Sequence, residues 1–277
     1  MSKARRRIRL IALDLDGTLL ADHMHVSQRV RDAVRRVIDR GICVTLATGR
    51  VFAGTQFFAK ELGIREPLIC LQGALIRHAV TAEVLLERRV GMSLALEVIE
   101  YGRGHPWDFC VYVGDQGYVE RLTPGLEYYA AYSPGGEALA AVGDLGKWLK
   151  EDPLKLLLVA DETECSRADH MLRERFGGRL QIVRSYARFV EATHMQATKG
   201  QALAHLASHL GVERSDTMAI GDNDNDLDMV AWAGVGVAMG NASPSAKAAA
   251  KFIVSPVELD GAAEAIERWV LGASTDA

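Results

Sequence analysis

The sequence predicts an α/β protein: a parallel sheet built from two separated stretches of chain, with a second α/β unit inserted between them. Three observations carry this. Short apolar, β-branched runs alternate with amphipathic helical segments over the first 70 or so residues, a βαβαβ order that implies a parallel sheet with right-handed crossovers. The middle of the chain changes style, with longer strands and frequent Gly, Pro and aromatic residues. After about Val190 the first style returns.

The elements follow in order. Ile8 to Leu13 is an apolar strand. Ser27 to Arg40 reads as a helix, with Ser27 as cap, Val30, Val34, Val37 and Ile38 at helical spacing, and Gly41 as its stop. Ile42 to Ala47 is a buried-type strand, Phe52 to Leu62 a helix ending at Gly63, and Pro67 to Leu71 a further strand of the same sheet. In the middle, Glu83 to Val90, Trp107 to Val113, Leu154 to Val159 and Leu180 to Tyr186 read as strands. Leu94 to Tyr101 and Thr163 to Phe176 read as helices, and Gly102 to Gly146 as a loop-rich stretch. The closing part gives helices at Lys199–Leu210, from Asp224, at Ser243–Ala250 and at Asp260–Leu271. Strands fall at Thr217–Ile220, Val235–Ala238 and Phe252–Val254. The division expected is residues 1–79 with 190–277 as one discontinuous unit, and 80–189 as the insertion.

Composition excludes several classes. The 277 residues carry a net charge of −4, with 49% hydrophobic and 25% charged residues, ordinary values for a globular chain with a sizeable core. Disorder requires low hydrophobicity and high net charge. The weak acidity argues against a nucleic-acid partner, since phosphate backbones select basic faces. The basic run Lys3 to Arg9 reads as a solvated arm. No secretory signal is expected, because Asp14 and Asp16 interrupt the apolar run Leu10–Leu13, and no stretch is long enough to span a membrane. Cys43, Cys70, Cys110 and Cys165 form no CxxC pair and read as free thiols in a cytoplasmic protein. Asn241-Ala242-Ser243 fits a glycosylation sequon that carries no weight without a signal. His23 and His25 supply too few ligands for zinc and read as a loop near an entrance.

Four short sites ask for one chemistry. Asp14-Leu15-Asp16-Gly17-Thr18 closes the first strand; residues two apart in extended chain point to one side, so Asp14 and Asp16 can face one ligand. Paired carboxylates suit a metal, or a nucleophile with an acid/base partner. Thr48-Gly49-Arg50 follows the second strand, where a hydroxyl and free N–H groups can hold a phosphate. Lys199 opens a helix and is a natural point-charge phosphate binder. Gly221-Asp222-Asn223-Asp224-Asn225-Asp226 is a hard-oxygen cluster after another strand, without the helix or bidentate Glu of a calcium loop. All four lie outside the carboxyl ends of parallel strands or beside them, where α/β sheets bind ligands. An Asp meeting a phosphate monoester faces like charge, about 4 kcal/mol per unit charge at ~4 Å and an effective dielectric near 20, so the site needs a divalent cation and a lysine. Mg²⁺ suits carboxylates plus substrate oxygens, with Asp14, Asp16 and Asp222 offered to it and Lys199 to the phosphoryl group.

These residues resemble the haloacid dehalogenase (HAD) superfamily of phosphohydrolases, close to its Cof-type branch (subclass IIB). The resemblance rests on Ile11 to Leu20, Ala47-Thr48-Gly49-Arg50, Lys199-Gly200, Gly221-Asp222 with Asn225-Asp226, Val237 to Ala242, Val254-Ser255-Pro256 and Asp260-Gly261. It implies a Rossmann-like catalytic core, with the insertion as an α/β cap that sets substrate specificity. It implies Asp14 as nucleophile through an aspartyl-phosphate, and Asp16 as acid/base and main-chain metal ligand. Thr48, Gly49, Lys199, Asn225 and the Leu15 main chain would hold phosphate. Asp14, Asp16, Asp222 and Asp226 would form the Mg²⁺ shell. The sequence departs from the branch at Gln72, where Asn is common, and at Thr193 to Gln196; Arg50 and Gln72 stand as candidates for the rim. The expected function is a Mg²⁺-dependent phosphatase of small phosphorylated metabolites, of the sugar phosphate, flavin mononucleotide or pyridoxal phosphate class. The alternatives are a phosphomutase of the phosphomannomutase type and a phosphate-binding module without turnover. Arg50, Arg77, His78, Trp107 and Arg184 are candidates to meet a leaving group.

Overall fold

The computed structural model describes residues 8–131 and 138–272. The basic run up to Arg7 and part of the Gly102–Gly146 stretch lie outside these residues.

The chain opens with β1 (Leu10–Leu13), α1 (Gln28–Ile38), β2 (Cys43–Leu46) and α2 (Phe52–Leu62). Burial drives each. All four residues of β1 are buried, and α1 hides Val30, Ala33, Val34 and Val37, one face at helical spacing. The Ser27 side chain accepts from the Val30 N–H at the start of α1, and Gly63 ends α2 in the left-handed conformation. A three-stranded antiparallel sheet follows, β3 (Pro67–Cys70), β4 (Leu75–His78) and β5 (Val84–Glu87).

The middle holds α3 (Met92–Gly102), β6 (Asp108–Val113), β7 (Gln116–Val119), α4 (Pro124–Ala130), β8 (Leu139–Ala141) and α5 (Leu145–Trp148). It continues with β9 (Lys155–Val159), α6 (Glu162–Phe176), β10 (Leu180–Tyr186) and β11 (Phe189–His194). Its strands form one six-stranded sheet in the order β10-β11-β9-β6-β7-β8. The chain then returns through α7 (Lys199–His209), β12 (Thr217–Gly221), α8 (Leu227–Trp232), β13 (Val235–Ala238), α9 (Pro244–Ala249), β14 (Phe252–Ile253) and α10 (Gly261–Ile266). The first and last parts share a parallel sheet in the order β14-β13-β12-β1-β2. The α/β class and the parallel sheet expected from the sequence are therefore present.

Four readings need correction. The Pro67 strand pairs with the parallel sheet through one parallel bridge, Ala47 to Ile69, with the Thr48 N–H donating to the Ile69 carbonyl; its regular pairing is antiparallel, with β4. The described part of the Gly102–Gly146 stretch carries β7, α4, β8 and α5, and Gly117 packs inside β7 against Cys110 and Leu139. The pairing of β5 with β4 keeps the chain with the first unit past residue 79. At the other end β11 pairs with both β10 and β9, so the six-stranded sheet runs to His194 rather than stopping near 190.

Candidate active site

Asp14 leaves the end of β1, and its N–H donates to the Ile220 carbonyl of β12 at 3.0 Å, so two neighbouring parallel strands aim their carboxyl ends at one place. Gly17 turns the chain at once, with φ +85. A Cβ there would stand 2.3 Å from Asp222 Oδ2, so glycine serves both the backbone angle and the approach of Asp222. Thr18 Oγ1 donates to Asp222 Oδ1 at 3.0 Å.

Lys199, the first residue of α7, is 1% exposed. Its Nζ donates to Asp14 Oδ1 and Asp226 Oδ1, each at 2.6 Å. Asp226 is fully buried, and its Oδ2 accepts from the N–H groups of Asp222 and Asn223 at 3.0 and 3.1 Å. One turn of 3₁₀ helix, Asp224–Asp226, sets this convergence, which the acid-rich hexapeptide foreshadows. Ligating atoms of Asp14, Asp222 and Asp226 all lie within 4.8 Å of one another.

The charges in this cluster do not balance, for three carboxylates share one ammonium. Burial raises the Asp14 carboxyl well above its ordinary range and Asp226 adds to it, with Lys199 opposing. Asp222 is pushed up to about 7, by burial first and by Asp226 next. Burial works against the Lys199 charge, but Asp14 and Asp226 outweigh it and hold the ammonium well above the lysine range. A buried set of hard oxygens with surplus negative charge is compatible with a divalent cation.

Asp16 stands apart from that cluster. Arg50 grips it with two bonds, Nη2 to Oδ1 at 2.6 Å and Nε to Oδ2 at 2.9 Å, and His23 Nδ1 lies 2.9 Å from Oδ1. Burial opposes ionisation, yet Arg50 and His23 overcome it and lower the Asp16 carboxyl to about 2. Thr48 is buried beside it, and its Oγ1 accepts from the Arg50 N–H at 3.2 Å. Gln72 has φ +59, and its Oε1 accepts from Asn225 Nδ2 at 2.9 Å. Gln72 Nε2, Asn225 Oδ1 and Arg50 Nη1 are buried without a hydrogen-bond partner among the described residues. Leu15 is fully buried, which leaves its main chain alone to serve a ligand.

These groups floor a cavity of about 290 Å³. Its roof comes from the six-stranded sheet: Lys155, Ser185, Tyr186, Phe189 and Glu191, with Tyr129 from α4. Lys155 Nζ donates to the Gly49 carbonyl at 3.0 Å and pairs with Glu191 at 3.2 Å, joining roof to floor.

Of the sequence candidates, Asp14, Asp16, Thr48, Gly49, Arg50, Gln72, Asp222 and Asn225 line this cavity, while Lys199 and Asp226 lie beneath it. Four leaving-group candidates do not line it. Arg77 pairs with Asp115, the His78 ring caps the Val80 N–H, Trp107 donates to Glu164, and Arg184 binds Ser166. The sequence reading missed the roles of His23, Lys155, Tyr186 and Glu191. Lys155 did leave a signal, as the lone charge in an otherwise apolar strand.

The family described as haloacid dehalogenase-like hydrolase matches residues 11–266. The 5-amino-6-(5-phospho-D-ribitylamino)uracil phosphatase YcsE of Bacillus subtilis (strain 168) is 30% identical over 268 residues, 95% of this chain and 96% of that protein. The HMP-PP phosphatase of Escherichia fergusonii is 30% identical over 244 residues, 87% of each chain. The crystal structure of a haloacid dehalogenase-like hydrolase from Bacteroides thetaiotaomicron superposes with a TM-score of 0.84 at 31% identity, covering 95% of this chain and 99% of that one. No helix among the described residues is long and apolar enough to cross a membrane.

The turn at Gly17 yields a direct test. Gly17→Ala places a side chain at φ +85 against Asp222 and is expected to cost about 1–2 kcal/mol of stability in denaturant titration, with weakened divalent-cation binding. Wild-type stability and wild-type cation affinity would contradict the close approach.

Proposed function

The chain belongs to the haloacid dehalogenase-like hydrolase family and is a phosphoric monoester hydrolase, and from that premise we propose a Mg²⁺-dependent phosphatase of small phosphorylated metabolites working through an aspartyl-phosphate. The observation that carries the reading is the triad of Asp14, Asp222 and Asp226, two of them buried, around one lysine, beside a separately held Asp16.

In the first half-reaction an Asp14 carboxylate oxygen attacks phosphorus, and the bond from phosphorus to the leaving oxygen breaks. Asp16 gives that oxygen its proton, leaving a free alcohol and phosphorylated Asp14. Arg50 and His23 hold Asp16 ionised in this arrangement; an incoming phosphoryl dianion favours its protonation, as like charge does for any carboxylate. In the second half Asp16, again ionised, takes a proton from water as the water oxygen attacks phosphorus, which frees Asp14 and inorganic phosphate. Lys199, Thr48, Gly49, Asn225 and the Leu15 main chain hold the phosphoryl oxygens, and the unpartnered donor Gln72 Nε2 lies in the same cavity.

The clustered oxygens of Asp14, Asp222 and Asp226 fit a hard divalent cation, which Asp14, Asp222 and the Asp16 carbonyl would hold while Asp226 steadies them. Bound there, Mg²⁺ supplies neutralisation of the charge gathered around phosphorus. The six-stranded sheet, with its roof of Lys155, Tyr186, Phe189 and Glu191, acts as a cap over the leaving group. A cavity of about 290 Å³ suits a small metabolite, of the sugar phosphate or pyridoxal phosphate size. The four free thiols support the cytoplasm as the compartment.

Two outcomes are expected. Wild type releases inorganic phosphate from a panel of metabolite monophosphates only with Mg²⁺, and Asp14→Asn lowers this at least ~10³-fold while its circular dichroism stays native. Near-wild-type release by Asp14→Asn would exclude the covalent route, and return of the phosphoryl group to the sugar without net release would favour a mutase. Second, Asp222 must lose its proton to bind a cation, and burial with Asp226 pushes its carboxyl up to about 7, while Asp14, raised in the same way, must lose its own. Apparent Mg²⁺ affinity, read by calorimetry, is therefore expected to rise with pH through about 7; a flat profile would remove Asp222 from the shell.

A further inference from the structure

His23 lies in the loop after β1 with φ +64, a left-handed conformation that costs a residue with a Cβ and costs glycine nothing. Its side chain is half-buried, 26% exposed. A non-glycine residue held in the left-handed region beside the cavity is a reason to look for a function.

The imidazole touches two groups from different parts of the fold. Nδ1 lies 2.9 Å from Asp16 Oδ1, and Nε2 meets the Tyr186 hydroxyl, with the two rings edge-to-face at 5.2 Å. Asp16 and His23 belong to the segment that follows β1, whereas Tyr186 ends β10 of the six-stranded sheet. Arg50 braces the same corner, donating from Nη2 to the His23 carbonyl at 2.9 Å. In neutral imidazole one ring nitrogen donates and the other accepts. A Tyr186 hydroxyl donating to Nε2 therefore selects the tautomer whose Nδ1–H donates to Asp16.

We infer that His23 is a positioning residue for Asp16, and that its hold is completed only when Tyr186 of the six-stranded sheet meets it. The inference rests on the reading of Asp16 as acid/base in the proposed phosphatase. Arg50 fixes the plane of the carboxylate from one side through its two bonds. His23 fixes Oδ1 from another direction, and through Tyr186 ties that orientation to apposition of the roof over the floor. The acid/base is thus fully oriented only under a seated roof, over the leaving group that it must protonate. This is the logic of a base oriented by a third group, with that group lent by the roof.

The test is steady-state phosphate release from p-nitrophenyl phosphate and pyridoxal 5′-phosphate with Mg²⁺, for wild type, His23→Gly, Tyr186→Phe and the double variant. Glycine suits φ +64, so His23→Gly removes the imidazole without asking for a new backbone. It is expected to lower kcat about 10- to 100-fold, part of the range that acid/base catalysis supplies, and to leave KM near the wild-type value. Free imidazole is expected to restore kcat in His23→Gly and to leave wild type unchanged. Tyr186→Phe keeps the ring, loses the hydroxyl and lowers kcat by less; the double variant falls no further than His23→Gly alone, because the two act in series. Wild-type kcat in His23→Gly, a loss confined to KM, or independent losses in the double variant would overturn the inference while leaving the phosphatase reading intact. Absence of phosphate release by wild type from any monophosphate would overturn that reading and the inference with it. Should His23→Gly fail to fold, an unchanged kcat in Tyr186→Phe overturns the inference by itself.

Discussion

The rest of the site depends on one ammonium group. Lys199 sits out of water between Asp14 and Asp226 at 2.6 Å from each. Burying an ion costs several kcal/mol, recovered only if its partners are close and its other protons are satisfied. The fold brings the lysine and its two partners together from three separate segments: the first residue of α7, the end of β1 and the turn after β12. None of them is near another in the chain, so the site cannot form ahead of the parallel sheet. The same lysine leaves the acids in surplus, a charge balance compatible with a divalent cation.

Around that centre the chain divides the work between two sheets. The parallel sheet aims the carboxyl ends of β1 and β12 at the acidic cluster, and glycine at position 17 leaves room for Asp222, which a Cβ there would meet at 2.3 Å. Among the described residues, the six-stranded sheet contributes no carboxylate to the cluster of Asp14, Asp222 and Asp226. It supplies a roof with aromatic walls and the buried Lys155–Glu191 pair. Breaking such a pair by removing one partner strands a charge, which typically costs 3–5 kcal/mol. Because Lys155 also donates to the Gly49 carbonyl, that charge is satisfied in part by the loop after β2, a polar contact between roof and floor.

Much of the centre was legible in sequence. Apolar strands closed by Asp14 and Asp222 are costly unless the carboxylates are used, and acids at a strand end read as a ligand site without any coordinates. The α1 face and its Ser27 cap were equally plain, because helical spacing and capping are local signals. What stayed hidden is long-range. Nothing local in Pro67–Cys70 separates a parallel neighbour of β2 from an antiparallel partner of β4; the difference lies in the turn at Leu71–Gln72, where both residues take positive φ. Gln72 read as a longer stand-in for Asn, while its link to Asn225 spans 153 positions. His23 read as an entrance loop because its partners, Asp16 and Tyr186, come from both sheets, and only tertiary structure brings them to one imidazole.

The central claim is that the Asp14 carboxylate, seated against Lys199, becomes the nucleophile. It is tested most directly by acid-quenching the enzyme during turnover of a metabolite monophosphate with Mg²⁺ and mapping the chain by mass spectrometry. One phosphoryl group on the peptide that carries Asp14, lost on treatment with hydroxylamine, is the result expected. Rapid turnover with no phosphorylated peptide at any quench time, or with the phosphoryl group on a different residue, would contradict the account.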